Sequence, residues 1–314
     1  MTNLLINWLK SSENSDFCMV NRFHMFSKNI KWVYLGILAV VWGSSFILMK
    51  RALIGVTPVQ LGALRILMTA IFLIIIGFRR LKRIQKHHWK YVVYTAILGT
   101  FFPVFMFAFA VSHLDSAIVA VLNSLTPFNT LVFGAWFFGA TFYRKQFFGI
   151  LVGLIGTLIL ILKGASLNPD QNYWFAVFIF LASVGYALNV NIIKKHLNEV
   201  PALTIAVGNF VIMIVPATIV LVSTRFFSDV EWTDTVMSSL GYVAVLAVLG
   251  TGVAKVLFNK MVQVTTPIFA SSVTYLIPLV AVFWGVMDGE NLSVVQGVGG
   301  VIILTGVYMV NKKK

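Results

Sequence analysis

Two ionisable side chains, Arg65 and Lys255, lie deep within otherwise uncharged apolar stretches of this 314-residue chain, and no acidic residue shares those stretches. A cation held in an apolar setting without a carboxylate beside it is suited to receiving an anionic group, such as a carboxylate on a ligand. That is the functional reading of Lys255. The alternative is a lysine whose long stem carries its ammonium to the nearer edge of the lipid, and the residues alone leave both open. Arg65 and Lys255 each sit roughly ten ångströms from one end of their segments at the helical rise of 1.5 Å per residue. The guanidinium fork of Arg65 suits tying helix-end or loop carbonyls near a gate, so a gating or structural role is expected of it.

Hydroxyl and amide groups form a second set. Asn123 and Ser124 precede Pro127, and Thr274 and Tyr275 precede Pro278. A proline lacks the backbone donor and frees the carbonyl one turn earlier, which can serve a ligand where it lines a cavity. These four residues, with Ser45 and Asn189, are the expected polar lining of a central site. Trp42 and Tyr186 are aromatic groups deep enough to wall it, and Trp42 is counted with the binding residues. Each polar group taken singly also suits an interhelical hydrogen bond. The five histidines fall in loops or at segment ends, and the lone Cys18 belongs to no metal-binding cluster. No metal and no cofactor is expected.

The elements that position these residues are membrane helices. The chain is 59% hydrophobic and 11% charged, and a spanning helix needs about 20 predominantly apolar residues. Ten segments qualify: 32–50, 58–78, 89–112, 116–138, 146–163, 172–194, 202–223, 239–262, 265–287 and 294–311. A reversal is required at His113–Asp115, because spans three and four together are too long for one crossing. One set of ends carries Arg79, Arg80, Lys82, Arg83, Lys86 and Lys90, then Arg144 and Lys145, Lys194 and Lys195, Lys260, and Lys312 to Lys314. The other set is poorer in cations and holds Asp115, Asp170, Asp229, Glu231, Asp234, Asp288 and Glu290. By the positive-inside bias both termini are cytoplasmic. The polar first 30 residues lack the apolar core of a signal peptide and read as a cytoplasmic lead, with Met25 an alternative start.

The chain also repeats itself. Tyr91, Gly99, Thr100, Phe107 and Pro127 recur as Tyr242, Gly250, Thr251, Phe258 and Pro278, 151 positions on without a gap. Trp42–Arg51 aligns with Tyr186–Lys195, 144 positions on. Lys50 closes its span outside and Lys194 inside, so the copies are inverted. The expected fold is all-α and integral to the membrane, ten helices as two inverted five-helix repeats, 31–163 and 172–311. Such inverted repeats are the architecture of many secondary transporters, which bind at the repeat interface.

The ordered set Trp42-Gly43-Ser44-Ser45-Phe46 with Lys50, Arg65 in span two, Leu249-Gly250-Thr251 in span eight, Pro127 and Pro278, and the glycines Gly149, Gly156, Gly299 and Gly306 resembles the drug/metabolite transporter superfamily. The likeness is to its ten-span type with two EamA domains. It covers about 31–311. The resemblance implies an inner-membrane carrier working by alternating access, often an exporter of amino acids or other small metabolites. It also implies that spans one to four and six to nine line the cavity while five and ten pack at the periphery. Lys255 departs from the mostly uncharged pattern at its position.

Other classes fit less well. The net charge of +14 invites nucleic acid, but the cations sit at span ends rather than on one water-facing surface. A membrane enzyme needs a nucleophile with a base, or carboxylates around a metal, and the acids here lie in loops. A channel needs a charged or carbonyl selectivity ring. A flippase or carrier of a lipid-linked or amphipathic substrate is the runner-up. A homodimer is compatible, although two complete repeats make a single-chain carrier sufficient. Without acids in the spans, the cavity disfavours polyamines and lipophilic cations and suits amino acids, organic acids and neutral metabolites.

Overall fold

A computed structural model describes residues 30–141, 143–167, 172–287, 289 and 293–311. The polar lead, Asp170, Asp288, Glu290 and Lys312 to Lys314 lie outside the described residues. Every regular element among the described residues is helical. The first half comprises α1 (Ile30–Ala52), α2 (Pro58–Gly77), α3 (Lys86–Val111), α4 (Ser116–Asn123), α5 (Thr126–Phe138) and α6 (Arg144–Leu167). The second comprises α7 (Tyr173–His196), α8 (Ala202–Ser223), α9 (Asp234–Val264), α10 (Pro267–Ser271), α11 (Val273–Met287) and α12 (Val294–Asn311). Each apolar segment read from the sequence coincides with helix. Among the described residues, seven passages are long and apolar enough to cross a membrane, and the protein is a multi-pass integral membrane protein.

Local chemistry sets the helix boundaries. Thr57 caps α2 by accepting from the Gln60 amide, Gln60 returns a bond to the Thr57 amide, and Pro58 fills the first turn. This reciprocal pair satisfies two backbone donors that a helix start leaves open. Thr233 caps α9 and Thr266 caps α10 in the same sense. The reversal expected at His113 is a tight corner, where the imidazole stacks on Phe175 at 3.5 Å between ring centres.

The apolar segments 116–138 and 265–287 are both broken, at different points of the repeat. The first break comes at Ser124–Leu125, so that Pro127 falls in the first turn of α5, where a missing N–H costs nothing. The second comes at Ser272, and Pro278 lies inside α11. Positional pairing with Ser124 would have put that break at Tyr275.

The halves interlock rather than lie side by side. α2 packs on α8, α5 on α7, and α4 on α11. Ile66, Leu73, Phe210 and Met213 fill the α2–α8 seam. α6 and α12 pack chiefly on each other, through Gly156 against the Gly299 backbone and Gly306 against that of Gly149 and Gly153. In lipid the association of helices rests on such close approach and on polar contacts, since the solvent is itself apolar.

Candidate functional site

The site begins with two irregular helical turns. α3 is wound as a π-helix over Ile97–Phe101, and α9 over Leu246–Val253. In each, an amide reaches back five residues: Phe102 to the Ile97 carbonyl, Ala254 to that of Leu249. The shift leaves the Gly250 carbonyl without the Ala254 amide. The Gly99 carbonyl is open for a further reason, because its partner four residues on is Pro103, which has no N–H. π-turns of this kind recur at functional sites.

Side chains from the opposite half take both carbonyls. Trp42 Nε1 donates to Gly250 O at 3.0 Å, and Lys255 Nζ donates to Gly99 O at 2.8 Å. Arg65 Nε donates to Thr251 Oγ1 at 2.7 Å, and that hydroxyl donates onward to the Leu246 carbonyl at 3.0 Å. Thr69 of α2 donates to the Ala247 carbonyl at 2.9 Å.

Between the two π-turns lies a cavity of about 100 Å³, room for several water molecules. Much of its wall consists of positions paired by the sequence repeat: Trp42 with Tyr186, Ser45 with Asn189, Gly99 with Gly250, Thr100 with Thr251, Phe107 with Phe258, and Asn123 with Thr274. The packing is paired too. Trp42 contacts Phe258 at 5.1 Å between ring centres, and Tyr186 contacts Phe107 at 5.9 Å. Ser45 lies against Gly250 and Asn189 against Gly99. Lys255 and Val104 are paired on the wall as well, but only one of them carries a charge.

Six of the eight residues expected at the site therefore reach the cavity wall: Trp42, Ser45, Asn123, Asn189, Lys255 and Thr274. Ser124 and Tyr275 do not. The Ser124 hydroxyl turns back onto the Val121 carbonyl, and Tyr275 is buried in the apolar core. Pro127 and Pro278 are also absent from the wall; the carbonyl that Pro127 frees, at Asn123, is taken by the Thr126 hydroxyl at 2.7 Å. Lys255 is 7% exposed and turned inward to Gly99, so its stem does not carry the ammonium to an edge. Arg65 lines the cavity, bonded to Thr251 and Met49, and among the described residues no loop or helix-end carbonyl is shown on its fork. Other polar groups make the interhelical ties considered for them, Asn191 to the Thr130 carbonyl and Asn209 to Thr95 Oγ1, both at 3.0 Å.

Sequence reasoning left Gly99, Gly250 and Thr100 out of the site and weighed Thr251 only as one of many hydroxyls. The signal was the Leu-Gly-Thr triplet at 98–100 and 249–251, quoted for its repetition and not for its backbone.

Chemically, the wall carries two cations and, among the described residues, no carboxylate. The hydroxyls of Ser45, Thr126, Ser271 and Thr274 each donate to a carbonyl three or four residues back, so they offer the cavity lone pairs rather than protons. Among the described residues no group of histidine, cysteine and acidic side chains is gathered for a metal.

A hollow lined by both halves of a multi-helix membrane protein is the arrangement found in membrane transporters. The chain belongs to the EamA-like transporter family, whose pattern it matches twice, over 30–162 and 173–312. It is 27% identical over 290 residues to a probable amino-acid metabolite efflux pump of Escherichia coli, spanning 87% of this chain and 92% of that protein. It is 25% identical over 292 residues to the uncharacterized inner membrane transporter YedA of the same organism, spanning 88% and 89%. The uncharacterized transporter YoaV of Bacillus subtilis is 25% identical over 287 residues, spanning 88% and 96%. A solved crystal structure shares the fold with a TM-score of 0.66 at 15% identity, covering 90% of this chain and 96% of the other.

Proposed function

We propose that the protein is a secondary carrier that exports small metabolites bearing a carboxylate, amino acids among them, across the inner membrane, with both termini cytoplasmic. The observation that carries this reading is the enclosed wall holding Arg65 and Lys255 with no described carboxylate. In such a low-dielectric space, attraction to an anion is far stronger than in water, while polyamines and lipophilic cations are repelled. Relatives named as an amino-acid metabolite efflux pump and an inner membrane transporter support the substrate class, direction and location. Transport proceeds by alternating access: the two halves rock about the cavity and open it to each side in turn. The carrier must bind its substrate comparably in both states, because a ligand that favours one state traps it there.

The test is counterflow in liposomes with the purified full chain, against labelled metabolites at two pH gradients. Saturable exchange of carboxylate-bearing solutes is expected. Exchange confined to polyamines or lipophilic cations would refute the proposal.

A further inference from the structure

Lys255 stands where the other copy of the repeat places uncharged Val104 on the same wall, and its ammonium is spent on the Gly99 carbonyl at 2.8 Å. Beside that carbonyl lies Asn189, 1% exposed, its amide oxygen filling the space that a side chain at position 99 would need. Neither the oxygen nor the nitrogen of this amide has a hydrogen-bond partner. A buried amide with both ends unused is a costly arrangement, and it points to a group that supplies the missing bonds. Gly99 O is an acceptor that the protein's own ammonium occupies, and Asn189 Oδ1 lies beside the same residue with its acceptor capacity unused; we call the two the acceptor corner.

We infer that the cavity takes zwitterionic substrates by exchange. The substrate carboxylate draws Lys255 away from Gly99, and the substrate's own ammonium takes the vacated carbonyl together with Asn189 Oδ1. Charge and hydrogen bonds balance at each end, since one ammonium replaces another at the acceptor corner and the displaced lysine gains a carboxylate. A simple carboxylate draws the lysine off but leaves the corner empty. A simple amine has to compete with a tethered lysine and faces Arg65 with no negative charge of its own. The cavity therefore selects solutes that carry both groups close together, with Lys255 and Asn189 as the residues that set this preference. The inference rests on the carrier reading and sharpens it.

The test is counterflow in liposomes with the full-length protein. Each common amino acid is set beside the carboxylic acid lacking its amino group and the amine lacking its carboxylate. In the wild type an amino acid should exceed both of its partners at least tenfold. Lys255→Met keeps the stem and removes the charge, so the acceptor corner is left open. The amine should then gain at least tenfold while the amino acid loses at least tenfold. A variant that failed to fold could not show that gain. Asn189→Leu should narrow the wild-type preference for the amino acid over the bare acid. Equal exchange of amino acid and bare acid by the wild type would overturn the inference, as would Lys255→Met losing the amino acid without gaining the amine. If no amino acid exchanges while another carboxylate does, the carrier reading stands and this inference falls. If nothing exchanges, both fall.

Discussion

The carbonyls of Gly99 and Gly250, equivalent positions in the two copies of the repeat, are each held by a side chain from the opposite half of the chain. Lys255 holds the first at 2.8 Å and Trp42 the second at 3.0 Å. One tie is charge-assisted and the other neutral, and a charge-assisted bond is roughly twice as strong. Motion of one half against the other must break contacts of this kind, because packed interfaces switch between discrete arrangements rather than stretch.

The neutral tie is separable from the aromatic packing around it. Trp42→Phe keeps a ring against Phe258 and removes the indole donor, leaving Gly250 O without its side-chain partner. Stability should fall by about 1 kcal/mol, the usual scale for one interhelical hydrogen bond in a membrane protein. Trp42→Ala loses the ring as well and should cost clearly more. Thermal unfolding of the purified protein in detergent measures both, and an unchanged midpoint for Trp42→Phe would show that the indole N–H contributes little.

Arg65 and Thr251 form a coupled pair. Thr251→Val keeps the side-chain shape but leaves the Arg65 Nε without its acceptor, at an expected cost of about 1–3 kcal/mol. Arg65→Lys keeps the charge and loses the Nε donor. If the 2.7 Å bond carries the effect, the double variant should be little worse than either single one. Additive losses in the double-mutant cycle would show two independent roles.

The backbone of the π-turn in α3 has no space for a side chain. A Cβ at Gly99 would overlap the Asn189 amide, whereas one at Gly250 would meet the Ser45 hydroxyl oxygen at 2.8 Å. Gly99→Ala should cost about 1–3 kcal/mol, typical of overpacking. Gly250→Ala should cost less, because a single hydroxyl can rotate aside. Asn189→Ala removes the two atoms nearest the added methyl, so the double variant Gly99→Ala/Asn189→Ala should be more stable than the sum of its parts. Unfolding midpoints of the four proteins decide it.

These positions mark where sequence reasoning reached and where it stopped. Helix ends were legible in part, because charge is local: the basic run Arg79–Lys90 marks its own place. The paired lining was legible in part, since Trp42/Tyr186 and Asn123/Thr274 are visible as a repeat. Hydroxyl direction was not. Ser124 near Pro127 and Thr274 near Pro278 look alike in sequence, yet both bond carbonyls three residues back, and Thr274 alone of the two also reaches the cavity. The π-turns were hidden as well, because five-residue hydrogen bonding follows from packing and from Pro103 rather than from any residue preference. Lys255 could be singled out as an odd cation, but its partner is the carbonyl that Pro103 leaves open at Gly99, 156 positions away in the other half of the chain.

The seam between α6 and α12 gives a contrast within one helix. At Gly306 an added Cβ would strike the backbone of Gly149 and Gly153, and at Gly156 it would meet the Gly299 carbonyl at 2.7 Å. Backbone cannot rotate away, so Gly306→Ala and Gly156→Ala must push the helices apart and lose the close approach that holds them in lipid. Each should cost about 1–3 kcal/mol. Gly300, about one and two-thirds turns before Gly306 at 3.6 residues per turn, has nothing within 4 Å of the same added atom. Gly300→Ala also gains helix propensity of up to about 1 kcal/mol, so it should be neutral or stabilising. Neither helix lines the cavity, so surviving Gly306→Ala protein should keep the wild-type ratio between amino acid and bare acid in counterflow while its unfolding midpoint drops. Equal midpoints for Gly300→Ala and Gly306→Ala would mean that the two helices do not meet where the glycines place them.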